Sequence, residues 1–86
     1  MALPEFNLLF SEGQLSTVFS TGHYLARRWQ AEDEAVHLYE LPGRFFAELT
    51  YNTTRNEIID LLSFGPDDKD QLEDYAVAVR LPDWLE

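Results

Sequence analysis

The chain has 86 residues, 45% of them hydrophobic and 14% aromatic, and 16 Asp and Glu against six Lys and Arg give a formal charge of -10. That length fits one domain, and that apolar content does not fit global disorder. The charge opposes direct binding to nucleic-acid phosphates or to anionic membrane surfaces, and the absence of cysteine removes disulfides, thiol catalysis and thiolate metal sites.

Met1 to Gly13 mixes Leu3, Phe6, Leu8, Leu9 and Phe10 with Pro4, Glu5 and Asn7, a pattern that predicts an extended arm or edge strand after Pro4. From Gln14 to Gln30, the residues Val18, Phe19, Tyr24, Leu25, Ala26 and Trp29 fit either an interrupted helix or a strand carrying Arg27 and Arg28. Gly22, set in a background of Ser16, Thr17, Val18, Ser20 and Thr21, argues against one continuous helix. A strand from about His23 to Gln30 is therefore expected, with a charged turn at residues 31 to 34.

Three apolar stretches follow, EAVHLYEL, RFFAELTY and NEIIDLLSF, separated by Pro42-Gly43 and by Asn52 to Asn56. Pro fixes φ and Gly tolerates positive φ, as a type II turn requires, although the preference of hairpins for other turns points to a longer loop or a bulge. Two such reversals place neighbouring strands side by side and antiparallel. Asn52-Thr53-Thr54 also matches a glycosylation sequon, which is read here as an ordinary polar turn. After Phe64, Gly65-Pro66 breaks the strand, Asp67 or Asp68 can cap a helix, and Leu72, Tyr75, Ala76 and Val79 form one apolar stripe before Pro82. The expected fold class is α+β: a small antiparallel β-meander of three to five strands packed against a C-terminal helix. Its parts are an N-terminal arm (about residues 1-13), a strand-rich region (about 23-64) and the helix (about 67-80), all in a single domain.

If Leu41 pairs with Arg44 and Tyr51 with Asn56, one face of the meander carries Val36, Leu38, Phe45, Ala47, Leu49, Ile58, Leu62 and Phe64. The other carries Ala35, Tyr39, Leu41, Phe46, Ile59 and Leu61, interrupted by His37, Glu48, Thr50 and Glu57. The second face is too apolar to be left wholly to water, so it needs a cover. Phe6, Leu8, Phe10, Val18 or Phe19 could supply it from within the chain, or a second copy could supply it across a two-fold axis.

The same register sets His37 opposite Glu48, where a carboxylate could hold the imidazole for acid-base work or merely neutralise charge on a sheet. Asp60, in the run Ile58-Ile59-Asp60-Leu61-Leu62, falls on the more apolar face and needs either an arginine or a bulge that turns it outward. His37, Glu48 and Asp60 are thus the candidate catalytic groups. Metal binding is not expected, because His23 and His37 lack ligand spacing, and Asp67, Asp68 and Asp70 lack the glycine and closing glutamate of a calcium loop. No phosphate-binding loop or serine nucleophile elbow is present, and no cofactor is expected.

The functional expectation is a non-catalytic protein-interaction or regulatory module. The alternatives are a small enzyme using His37 and Glu48 and a structural homodimerisation domain. Tyr39, Phe46, Ile59 and Leu61 are the expected interaction residues on the second face, with Asp67, Asp68, Asp70 and Asp74 in an acidic segment that has five acids against one lysine. The partners expected are a second copy through that face or a basic protein, with no direct nucleic acid and no membrane. No stretch approaches about 18 apolar residues and no leader pattern is visible, so a soluble cytoplasmic protein is expected.

Overall fold

A computed structural model describes residues 2-68. The elements run α1 (Leu3–Asn7), α2 (Ser11–Thr21), β1 (His23–Ala31), β2 (Glu34–Leu41), β3 (Phe45–Asn52) and β4 (Glu57–Phe64). The four strands form one antiparallel sheet in the order β1-β2-β3-β4, a meander in which every strand pairs with its sequence neighbour. The expected strand from His23 and the three strands that follow it are therefore all present.

The helices correct the expected architecture. α1 lies where an arm or edge strand was expected, most of α2 lies where an interrupted helix or a strand was weighed, and no C-terminal helix is shown among the described residues. Asp67 and Asp68 stand in a turn and a coil after β4, and the remainder of the predicted helix lies outside the described residues. Pro4 starts α1 rather than breaking a strand, because the N–H that proline lacks would be unpaired in a first helical turn anyway. Glu5 Oε1 accepts the Ala2 N–H at 3.3 Å and closes that end.

In α2 the Ser and Thr residues that spoke against a helix bond back to the preceding turn. Thr17 donates to the Gly13 carbonyl at 2.8 Å, Ser20 to Ser16 at 2.6 Å and Thr21 to Thr17 at 2.8 Å. Gly22 closes the helix instead of interrupting it, its N–H reaching the Val18 carbonyl at 2.8 Å. A Cβ at Gly22 would collide with that carbonyl oxygen and stand 3.3 Å from the Tyr39 ring, so close approach alone requires glycine here.

The strand register also differs from expectation: β2 against β3 by one residue, and β3 against β4 in that Tyr51 pairs with Ile58 rather than Asn56. Leu41 pairs with Phe45, not Arg44, so the loop holds Pro42, Gly43 and Arg44, with φ of 103° at Gly43 and 60° at Arg44. A loop one residue longer turns every side chain of β2 over relative to those of β3. One face therefore carries Ala35, His37, Tyr39 and Leu41 beside Phe45, Ala47, Leu49 and Tyr51, and the other carries Val36 and Leu38 beside Phe46, Glu48 and Thr50.

Both described helices pack on the first of these faces. Phe6 and Val18 enter it and form a buried cluster with Leu41, Phe45, Ala47 and Leu49, edged by Leu3, Leu9, Leu15, Tyr39 and Leu61. The Phe6 and Phe45 rings lie 5.3 Å apart at a tilted angle. Gln14 Nε2 donates to the Phe6 carbonyl at 3.2 Å and ties α2 to α1, while the Ser63 hydroxyl donates to Asn7 Oδ1 and ties α1 to β4. The opposite face is buried too: Val36, Leu38 and Phe46 are inaccessible, and Phe46 stacks on Phe64 at 5.5 Å. Among the described residues, no helix is long and apolar enough to cross a membrane.

Candidate functional site

The helices cover only part of their face. Beyond α2 the sheet continues with Tyr24, Arg27 and Trp29 of β1, His37 of β2 and Tyr51 of β3, all brought to this side by the pairings Tyr24 with Tyr39, Arg27 with His37 and Trp29 with Ala35. A bulge between Tyr24 and Ala26 sets this alignment, since it lets Arg27 share a face with Tyr24 although the two are three positions apart. Phe19 projects from α2 at the border and is 60% exposed, with Trp29 at 53% and Tyr24 at 49%.

His37 sits among these rings. Tyr24 meets it edge-on at 5.8 Å and Tyr51 lies 6.5 Å away, while Tyr24 also meets Tyr39 edge-on at 5.7 Å. The Tyr51 hydroxyl donates to Asn56 Oδ1, which fixes that ring at the rim. Arg27 stands 5.5 Å from the centre of the Trp29 ring, within cation–π range. A half-open cleft of about 200 Å³ runs between Phe19, His37, Tyr39, Leu49, Tyr51 and Ile58. Among the described residues its walls are aromatic or aliphatic, and no charged side chain lines it.

Burial lowers the proton affinity of His37 from its ordinary value of 6.5, and the Arg27 charge lowers it further, so the imidazole is neutral at pH 7. Burial, then the neighbouring Tyr24, raises Tyr39 above its ordinary 10.0. A neutral imidazole among phenols offers one donor and one acceptor within an otherwise apolar site, a combination suited to recognition.

The sequence-derived catalytic pair is not assembled. His37 pairs with Leu49, whereas Glu48 pairs with Leu38 on the opposite face. There Glu48 is 3% exposed and its Oε2 accepts from Arg28 Nη2 at 3.1 Å. Asp60 is exposed; the β3–β4 register shifts at Ile59, and Asp60 Oδ1 accepts the Leu61 N–H at 2.9 Å. That bulge does not turn Asp60 away from Leu62 and Phe64, with which it still shares a face; it moves Ile58 to the opposite face.

The expected interaction residues are likewise divided. Tyr39 and Leu61 are half-buried at the edge of the core cluster, Ile59 is exposed on β4, and Phe46 is wholly buried. Asp67 and Asp68 are exposed, and Asp70 and Asp74 lie outside the described residues. Asn52 is buried, donating to Asp33 Oδ2 at 3.3 Å and accepting the Arg55 N–H at 2.8 Å, which makes the sequon a turn motif in this fold. No group of three or more potential metal ligands occurs among the described residues.

Arg27 and Trp29 were not singled out from the sequence. Their signal was the Arg-x-Trp spacing, which on a strand puts both on one side, but the charged turn at residues 31 to 34 did not reveal the two bulges that set the register of β1. Comparison with protein-family models, with curated proteins and with solved structures found no match.

Proposed function

We propose that the chain is a non-catalytic protein-interaction module whose contact surface is the aromatic end of the helix-bearing sheet face. The observation that carries this reading is the contiguous exposure of Phe19, Tyr24 and Trp29 around the His37 cleft. Tyr, Trp and Arg dominate the energetics of protein interfaces because they bury large areas while retaining a polar group for orientation. The separation of His37 from Glu48 removes the acid-base pair on which the enzyme alternative rested.

The experiment compares affinity isolation with the full chain and with its Tyr24→Ala/Trp29→Ala variant, using Phe10→Ser as a control because Phe10 is exposed elsewhere. The reading expects a partner that is kept by the wild type and the control and lost by the aromatic variant. Equal recovery by all three would contradict it.

Self-association is the second reading, favoured by one observation: among the described residues β4 is an edge strand, and it exposes Ile58, Ile59 and Leu62. It predicts a doubled mass in solution that Ile59→Lys returns to the single-chain value, and a single-chain mass for the wild type would end it.

A further inference from the structure

Resting on the interaction reading, we infer the chemistry of the partner: a protein segment that places an aromatic or aliphatic side chain in the Phe19–His37–Tyr51 cleft and a carboxylate beside it on Arg27. Size supports the first half, because a cavity of about 200 Å³ with apolar walls matches one large side chain rather than a helix or a strand.

Charge supports the second half. By strand register, the helix-bearing face receives Tyr24, Arg27, Trp29, Ala35, His37, Tyr39, Leu41, Phe45, Ala47, Leu49, Tyr51, Ile58, Leu61 and Ser63, among which Arg27 is the sole formal charge. The acids of the strands fall on the other side: Glu34, Glu40, Glu48, Glu57 and Asp60. In a chain of charge -10, the described strand residues of this face are thus a local cationic and aromatic exception. Arg27 is exposed, is in register with His37 and lies against Trp29, and a guanidinium against a ring keeps in-plane N–H donors for an anion. Its pairing with Trp29 limits its motion, which lowers the entropy lost when a carboxylate arrives. The net charge opposes an anionic segment at long range, but at physiological salt that repulsion is screened beyond about 8 Å.

The test is an NMR titration of the full chain at 0.15 M salt with four capped tetrapeptides of sequence Gly-X-Z-Gly, in which X-Z is Phe-Glu, Phe-Gln, Phe-Lys or Ala-Glu. The inference expects shifts centred on Phe19, His37, Leu49 and Tyr51, with Phe-Glu bound about 2- to 5-fold more tightly than Phe-Gln, Phe-Lys weaker still and Ala-Glu not detected. Arg27→Gln should bring the three Phe peptides to similar affinity while preserving their shifts at the cleft. An absence of shifts, equal binding of Ala-Glu, a preference for Lys, or a ranking unchanged by Arg27→Gln would each overturn it. If that happened while the Tyr24/Trp29 variant still lost its native partner, the interaction role would stand and only this partner chemistry would fall.

Discussion

The two ends of the helix-bearing sheet face share β2 and β3 and end differently. At one end Phe6 and Val18 descend onto Leu41, Phe45, Ala47 and Leu49 and leave them almost inaccessible. At the other, Tyr24, Trp29 and Phe19 remain about half exposed around a cleft. Alternation along a strand decides which face a side chain joins, but only the reach of a packing element decides whether that face is dry. α2 has 11 residues, which at about 1.5 Å per residue give roughly 16 Å, too short to cover a four-stranded sheet of this strand length. The closed end is buried, and the open end stays accessible.

Core truncation should separate the two ends most sharply. Phe45→Ala or Phe6→Ala removes a ring from the closed cluster and should cost about 3 to 5 kcal/mol, whereas Trp29→Ala should cost less than about 1 kcal/mol. Chemical denaturation of the three variants measures both values, and similar losses would erase the distinction.

The Arg28–Glu48 pair extends the comparison to the opposite face, where a charge is buried but partnered. Arg28→Met would remove one charged partner from the Glu48 carboxylate, which is 3% exposed, and should cost about 1.5 to 3 kcal/mol, while the Arg28→Met/Glu48→Leu double variant should recover part of that loss. A double variant no more stable than the single one would show that the pair contributes more than its own desolvation cost.

At the junction between α2 and β1, Gly22→Ala should cost about 1 to 2 kcal/mol by driving a methyl group into the Val18 carbonyl and the Tyr39 ring. The smallest effect is the pH response of the open end. With the folded pKa of His37 below its unfolded value of 6.5, the unfolded chain binds the proton more readily, so stability falls as pH drops below about 6.5 and levels off beneath the folded pKa. His37→Gln should flatten that decline, and the His37 imidazole resonances should titrate with a midpoint below 6.5.

Much of the sheet was legible from residues 34 to 64, because alternating apolar stretches between turn residues specify strands and reversals with little help from the rest of the chain. Register was less legible. Arg44 at positive φ lengthened the first loop by one residue, and that single step separated His37 from Glu48. α2 was left undecided between helix and strand for a related reason: Gly22 and the Ser/Thr run were weighed as helix interior, although Gly22 is a terminus and Thr17, Ser20 and Thr21 each find a carbonyl four residues back. The spacing Gly13-Thr17-Thr21 and Ser16-Ser20 contained that answer. The open cleft depends on tertiary placement of α2 against the sheet, which no local pattern encodes.

The central claim is that the aromatic end binds rather than stabilises, and the most direct measurement is partner capture by Tyr24→Ala/Trp29→Ala set beside its thermal unfolding. The account predicts a Tm within about 8 °C of the wild type, as about 1 kcal/mol implies in a domain of this size, together with loss of the captured partner. A folded variant that retains the partner, or a variant whose Tm collapses as a core truncation would make it, would contradict the account.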